Sequence, residues 1–249
     1  MSRWSPDRAL FRLGDAATVV PADGVSALDA MLGVFEAELD ARELRRGTRL
    51  DCVLAGECVR YRIVPWRDDL ATPAQRQRLA EQVFVEAYGE VARGWTVRQH
   101  AERHGAATLA CAIESALLDR LAALALARGL KLASVQPSLM HDHNRSRFEL
   151  EAGWCWLVSV EAAWTTVLLM SPTEPLHVRR LPTGDGDLAR LLDREWFTLG
   201  IDAPRCPVYV VRTPGGMAET RAYAWRANSH WSFVPLPGAV DSEAEALAA

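Results

Sequence analysis

The sequence predicts an α/β protein built from two similar halves, with mixed sheets flanked by helices. Three observations carry this expectation. A strand, a helix, a glycine and a second strand follow one another between Thr108 and Val135, the order of a βαβ unit. Three β-branched and aromatic runs then stand in a row at Trp154–Val160, Thr165–Met170 and Leu176–Leu181. An amphipathic helix and one more apolar strand close that second group, at Asp187–Leu199 and Val208–Val211.

The elements before Thr108 read as follows. Leu10, Leu13, Val19 and Val20 flank Gly14-Asp15, as in a short hairpin or strand pair within Ala9–Val20. Leu28, Met31, Leu32, Phe35 and Leu39 recur at helical spacing, which predicts a helix over Val25–Leu44, capped by Ser26 and followed by Gly47. Leu50–Leu54 and Cys58–Val64 are strands joined by Ala55-Gly56-Glu57, a turn that suggests a hairpin. Thr72-Pro73 opens a helix with a capping residue followed by proline, and Leu79, Val83, Ala87 and Tyr88 are its expected buried stripe. After Thr108–Ala112 comes the helix Glu114–Arg128, with Leu117, Leu118, Leu121, Leu124 and Ala125 inward and Gly129 at its end.

Polar residues at Met140–Glu151 interrupt the pattern, and the halves are divided there: 1–140, 141–240, and an Ala/Glu-rich tail over 241–249 expected to fray. A further strand is expected at Arg221–Arg226.

Composition narrows the function classes. The net charge of −4 argues against a nucleic-acid binder. Arg42, Arg45, Arg46 and Arg49 cluster, but cations at a helix end complement its dipole and need no polyanion. Lys131 is the single lysine, which removes most candidates for a phosphate-binding or Schiff-base lysine. The five cysteines are scattered, with no CxxC, as buried thiols in a reducing compartment would be. Neither an 18-residue apolar run nor a signal-peptide h-region occurs, so the expected location is the cytoplasm.

Three antiparallel strands followed by alternating helices and parallel strands is the ribonuclease H-like order, and two such units back to back make the actin-like ATPase fold. Residues Leu50–Val211 also resemble the cytoplasmic domains of the GspL and PilM families of type II secretion and type IV pilus assembly. The resemblance rests on five segments. VLAGECVRYRIVPW (Val53–Trp66) is similar to their strand-turn-strand ending in Pro, and RQRLAEQVFVEAYG (Arg76–Gly89) to the helix that follows. LACAIESALLDRLAALALARGLKLASVQPSLM (Leu109–Met140) is similar to their strand–helix–Gly–strand–Pro unit. GWCWLVSVEAAWTTVLLM (Gly153–Met170) and HVRRLP (His177–Pro182) resemble the opening of their second half. The resemblance implies a cytoplasmic adaptor that binds protein partners of an inner-membrane assembly platform and reaches the membrane through them; that it is non-catalytic is expected from the two candidate phosphate turns considered next. Self-association into a homodimer is a further expectation. The chain departs from GspL in lacking a membrane span and a periplasmic domain, and is closer in that respect to PilM.

Actin-like nucleotide sites need two glycine-bearing β-turns whose N–H groups cradle phosphates, each beside a carboxylate that holds Mg²⁺ through water. The first candidate is Arg12-Leu13-Gly14-Asp15-Ala16-Ala17, where Arg12 stands in place of the preceding carboxylate. The second is Ser159-Val160-Glu161-Ala162-Ala163, which has a carboxylate and no glycine, and Trp164 crowds it. Gly14, Asp15 and Glu161 are therefore the candidate residues of a degenerate nucleotide site, with no cofactor expected. The alternative is a nucleotide-binding ATPase or kinase relative of the same superfamily. A ribonuclease H-type nuclease would require carboxylates such as Asp15, Asp51 and Glu161 to converge on two metal ions; turn and strand-end roles are preferred. His141-Asp142-His143 has metal-ligand composition but reads as a hydrophilic loop, and His100 with His104 as a solvated segment. Trp4, Trp66 and Trp231, placed in loops or near the termini, are the candidate partner contacts.

Overall fold

The computed structural model describes residues 8–14, 27–100, 104–150, 153–162, 164–183, 187–200, 205–212 and 230–236. In chain order the elements are β1 (Arg8–Leu13), α1 (Ala27–Ala41), β2 (Arg49–Leu54), β3 (Arg60–Val64), α2 (Pro73–Tyr88), β4 (Trp95–Gln99), β5 (Thr108–Glu114), α3 (Ser115–Ala127) and β6 (Lys131–Pro137). They continue with α4 (Ser138–Ser146), β7 (Cys155–Val160), β8 (Trp164–Met170), β9 (Pro175–Pro182), α5 (Leu188–Leu199), β10 (Val208–Arg212) and β11 (Phe233–Pro235).

The first sheet is parallel, in the order β1-β2-β6, with Phe11 beside Cys52 and Cys52 beside Val135. Phe11, Leu50, Cys52 and Leu54 alternate onto the face covered by α1 and α3, as the two-residue period of a strand requires. α1 contributes Leu32, Phe35 and Leu39, and α3 contributes Leu117, Leu121 and Ala125. Ser26 lies outside the described residues. Gly47 is no helix cap: α1 ends at Ala41, and the Gly47 N–H bonds the Gly129 carbonyl at 2.8 Å. Gly129 does cap α3, as expected, with its own N–H on Leu126 O and the Leu130 N–H on Ala125 O.

Two strand pairings differ from the sequence expectation. β2 and β3 are not a hairpin. Both edges of β2 are taken, by β1 and β6, so the chain turns out of the sheet through a 3-10 turn at Gly56–Cys58. β3 enters a second, antiparallel sheet in the order β3-β5-β4. The βαβ unit is likewise split, because β5 pairs with β3 and β4 while β6 pairs with β2. β4 was not anticipated.

α2 covers the second sheet. Its capping box is complete: Thr72 Oγ1 accepts from the Gln75 N–H, and the Thr72 N–H bonds the Gln75 side chain. The buried stripe is Ala80 and Phe84, with Leu79 and Tyr88 beside it, rather than the line through Val83 and Ala87. Together with Val64, Val97, Ala110 and Ala112 these residues make a small core of their own.

The third sheet has the order β11-β10-β7-β8-β9, antiparallel through β7-β8-β9 and parallel through β7-β10-β11, hence mixed as expected. α5 starts at Asp187, whose carboxylate accepts from the Arg190 N–H at 3.0 Å. It packs Leu188 and Leu192 on Trp156, Val158, Val167 and Val208. β11 was not foreseen, and the strand expected at Arg221–Arg226 lies outside the described residues. The polar stretch expected as a loop is α4, with Leu139, Asp142 and Ser146 buried; the division at 140/141 falls inside it.

The largest core cluster crosses between the halves. Leu13, Leu54 and Leu139 belong to the same buried group as Leu157, Leu168, Val211 and Leu236. Among the described residues no helix is long and apolar enough to cross a membrane.

Candidate functional site

The carboxyl ends of β1, β2 and β6 point at the β7–β8 turn, which is where an actin-like fold would gather its two phosphate turns. Gly14 closes β1, Ala55 and Gly56 close β2, Ser138 follows β6, and Glu161 sits in the β7–β8 turn. The Ala55 N–H bonds Leu13 O at 2.7 Å, which ties the first two ends together.

Glu161 is 3% exposed and reaches across the gap between the halves. Its carboxylate accepts from the Gly56 N–H through both oxygens, at 3.0 and 2.8 Å, and from the Ser138 hydroxyl at 2.7 Å. The Gly56 carbonyl accepts from Arg180 of β9, whose guanidinium lies 4.3 Å from the centroid of the Trp164 ring. Thr183 Oγ1 donates to Glu161 O at 3.1 Å, and Thr165 Oγ1 lies 2.9 Å from Thr183 Oγ1. Gly56 is thus held at both of its backbone polar groups, its N–H by Glu161 and its carbonyl by Arg180.

Close approach explains the glycine in that turn. A Cβ on Gly56 would lie 2.9 Å from Glu161 Oε2 and 3.2 Å from Thr166 Oγ1. The space at Gly14 is also filled. Its φ is +94°, and a Cβ there would meet Glu57 Oε1 at 2.7 Å and Cys58 Sγ at 3.2 Å. Burial, with Glu57 next in effect, pushes the Cys58 thiol up to about 12, so it stays protonated, and its Sγ lies 3.3 Å from Met31 Sδ.

Among the described residues, Glu161 offers no carboxylate oxygen open to a metal. A hydrated Mg²⁺ needs carboxylate oxygens open to water. Those of Glu161 are buried against Gly56 and Ser138. Asp15, the other candidate carboxylate, lies outside the described residues.

A second contact runs beside the first. Asp142 of α4, 2% exposed, lies 3.6 Å from the Arg12 guanidinium of β1 and accepts from Ser159 Oγ of β7 at 3.3 Å. Burial raises the Asp142 carboxyl above its usual range, against the opposing pull of Arg12. Burial, reinforced by Arg12 and Arg145, pushes His141 down to about 4, and burial also lowers His143. Consecutive helical residues point about 100° apart, so His141, Asp142 and His143 cannot share one metal from α4. Asp142 faces Arg12 and Ser159, while the His143 ring meets His100 at 6.1 Å.

Asp51 is bound bidentately by Arg8 at 2.9 and 3.1 Å. It lines a cavity of about 400 Å³ with Leu10, Gln136 and His141. Arg42 of the arginine cluster donates to Leu10 O and lies over the Phe11 ring.

Of the expected partner contacts, Trp4 lies outside the described residues. Trp66 is half-buried between Arg76 and His104, with its indole N–H donated to Asp68 at 2.8 Å. Trp231 is 5% exposed, packed on Trp196 and bonded to Asp193 at 3.1 Å. It lies in the bend before β11, in a loop as expected, and its contacts with Trp196 and Asp193 tie that loop to α5.

Gly56, Ser138 and Arg180 were not singled out from the sequence. Gly56 carried a signal only as a turn glycine, and its partner Glu161 is 105 residues away.

No protein-family model matches the chain, and no curated protein matches it in sequence. Solved structures do match in fold, and they define the class: this chain has the actin-like ATPase fold. A Bacteroides thetaiotaomicron protein described as having that fold and an unknown function superposes with a TM-score of 0.54 at 10% identity, over 90% of this chain and 82% of that one. A chain of the PilM–PilN type IV pilus biogenesis complex gives 0.58 at 15% identity, over 91% and 84%. The cytoplasmic domain of EpsL, an inner-membrane component of the type II secretion system of Vibrio cholerae, gives 0.55 at 13% identity, over 97% and 94%.

Proposed function

We propose that this chain is a non-catalytic adaptor, a cytoplasmic actin-like module that binds protein partners in a type IV pilus or type II secretion-like assembly platform. The observation that carries the proposal is the Glu161 contact. The carboxylate that would serve a metal–phosphate group holds the Gly56 N–H and the Ser138 hydroxyl instead. A nucleotide would have to break three charge-assisted bonds and separate two parts of one core before it could enter. The fold neighbours lend support: one belongs to a pilus biogenesis complex and another to a secretion system.

Affinity purification of the tagged full chain from its own cells, with mass spectrometry of co-purifying proteins, tests this reading. The expected result is enrichment of pilus or secretion assembly components. Recovery of none of them, or turnover of ATP by the purified chain, overturns it in favour of a nucleotide-dependent relative.

A further inference from the structure

The outward face of α5 combines features that the fold itself does not use. Leu188, Leu192 and Glu195 are its buried residues, and they fix which side faces the sheet. Arg190, Arg194 and Phe197 follow at the i, i+4, i+7 spacing and so share the opposite side. Phe197 is 88% exposed. A single exposed apolar residue is ordinary; two aligned arginines on the same helix face are what set this one apart.

Glu195 organises the cations at the rim. It is fully buried, and three groups surround it: His177 at 3.2 Å, Arg179 at 3.3 Å and Arg194 at 3.6 Å. The side chains of Arg179 and Arg194 nevertheless remain at least half exposed. Each guanidinium has five N–H donors, more than Glu195 can accept. The remaining edges can take bidentate carboxylates from outside. Two carboxylates border this side of the helix and both are held: Asp187 by Arg190 at 2.9 Å, and Asp193 by His230 at 2.8 Å and Arg205 at 3.5 Å.

We propose that this face of α5 is the docking surface for an acidic segment of a partner protein. An apolar side chain of that segment covers Phe197, and its carboxylates meet Arg190 and Arg194, which stand toward the N-terminal end of the helix. Arginine around an exposed aromatic is the composition of interface centres, and the charge complementarity selects an acidic partner. An anionic lipid surface fits less well, because the chain as a whole carries −4. The proposal rests on the adaptor reading.

The test replaces Phe197 with benzoylphenylalanine in the full chain, in its own cells, with Phe148 (85% exposed) replaced in a parallel strain. Irradiation is followed by sequencing of the crosslinked peptides. The expected result is one partner segment rich in Asp and Glu at position 197, absent at 148. Its yield falls roughly tenfold when Arg190→Glu and Arg194→Glu are combined. Arg190→Glu alone, at a fully solvated site, lowers the yield in the same direction and covers the case in which the Arg194 change disturbs Glu195. A crosslink to lipid, to a second copy of this chain or to a segment without acidic excess overturns the proposal, as does a yield indifferent to charge reversal. If position 197 gives no crosslink while assembly components still co-purify, the surface is wrong and the adaptor reading stands.

Discussion

A carboxylate as buried as Glu161 loses several kcal/mol of hydration, and only donors placed before it arrives can offset the loss. Here the donors are the Gly56 N–H and the Ser138 hydroxyl. Glu161→Ala strands both and should destabilise the fold by about 3 kcal/mol in urea titration. Gly56→Ala introduces a Cβ at 2.9 Å from Glu161 Oε2 and should cost about 1–3 kcal/mol. The two changes should not add, because removing the Glu161 side chain relieves that clash; an additive double-mutant cycle would show that the residues do not touch.

The same neighbourhood predicts a pH response. The folded chain holds His141 near 4 against an ordinary 6.5, so the neutral ring contributes stability that is complete above 6.5 and is lost as pH falls toward 4. His143 and His177, both lowered, act in the same direction. Asp142, raised by burial, acts oppositely, and its contribution weakens as pH rises above the ordinary carboxylate value of 3.8. His141→Gln should therefore shrink the drop in urea midpoint between pH of about 7 and about 4.5; an unchanged drop would show that the ring is not held neutral.

At the scale of elements, α2 is the clearest case of sequence dictating structure. Thr72-Pro73 with Gln75 fixes its start without outside help, and Thr72→Ala should cost about 1 kcal/mol. The buried face is a tertiary matter. Phe84, not Val83, fills the small core against Val97 and Ala112, so Phe84→Ala should cost about 3–5 kcal/mol while Ala87 tolerates a polar residue. Melting curves of the two variants check the rotation of the stripe directly.

The strands show where local reading stops. β7, β8, β9 and β10 were legible because each is a β-branched or aromatic run between turn signals. The β2–β3 hairpin was misread because nothing within Ala55-Gly56-Glu57 reveals that β1 and β6 already occupy both edges of β2. α4 reads as a loop in the sequence because its apolar residues are few and its buried side, with Asp142 and Ser146, is polar.

At the scale of the molecule, the halves share one apolar core, from Leu13 and Leu54 to Leu157 and Val211, and a polar contact at Glu161 closes it. Shared burial of this kind makes unfolding cooperative. A calorimetric scan should show one transition, lowered alike by Leu54→Ala in the first half and Leu157→Ala in the second; two transitions that respond separately would contradict the shared core. The fold class was readable from element order, but the contact between the halves was not, because its partners are 105 residues apart.

The adaptor proposal turns on that contact: with Glu161 bound to the backbone at Gly56, no nucleotide should enter there. Calorimetric titration of the full chain with Mg-ATP tests it most directly. No binding heat is expected up to millimolar nucleotide, in the parent and in Glu161→Ala alike. Micromolar binding by the parent, abolished by Glu161→Ala, would show that Glu161 serves a nucleotide after all.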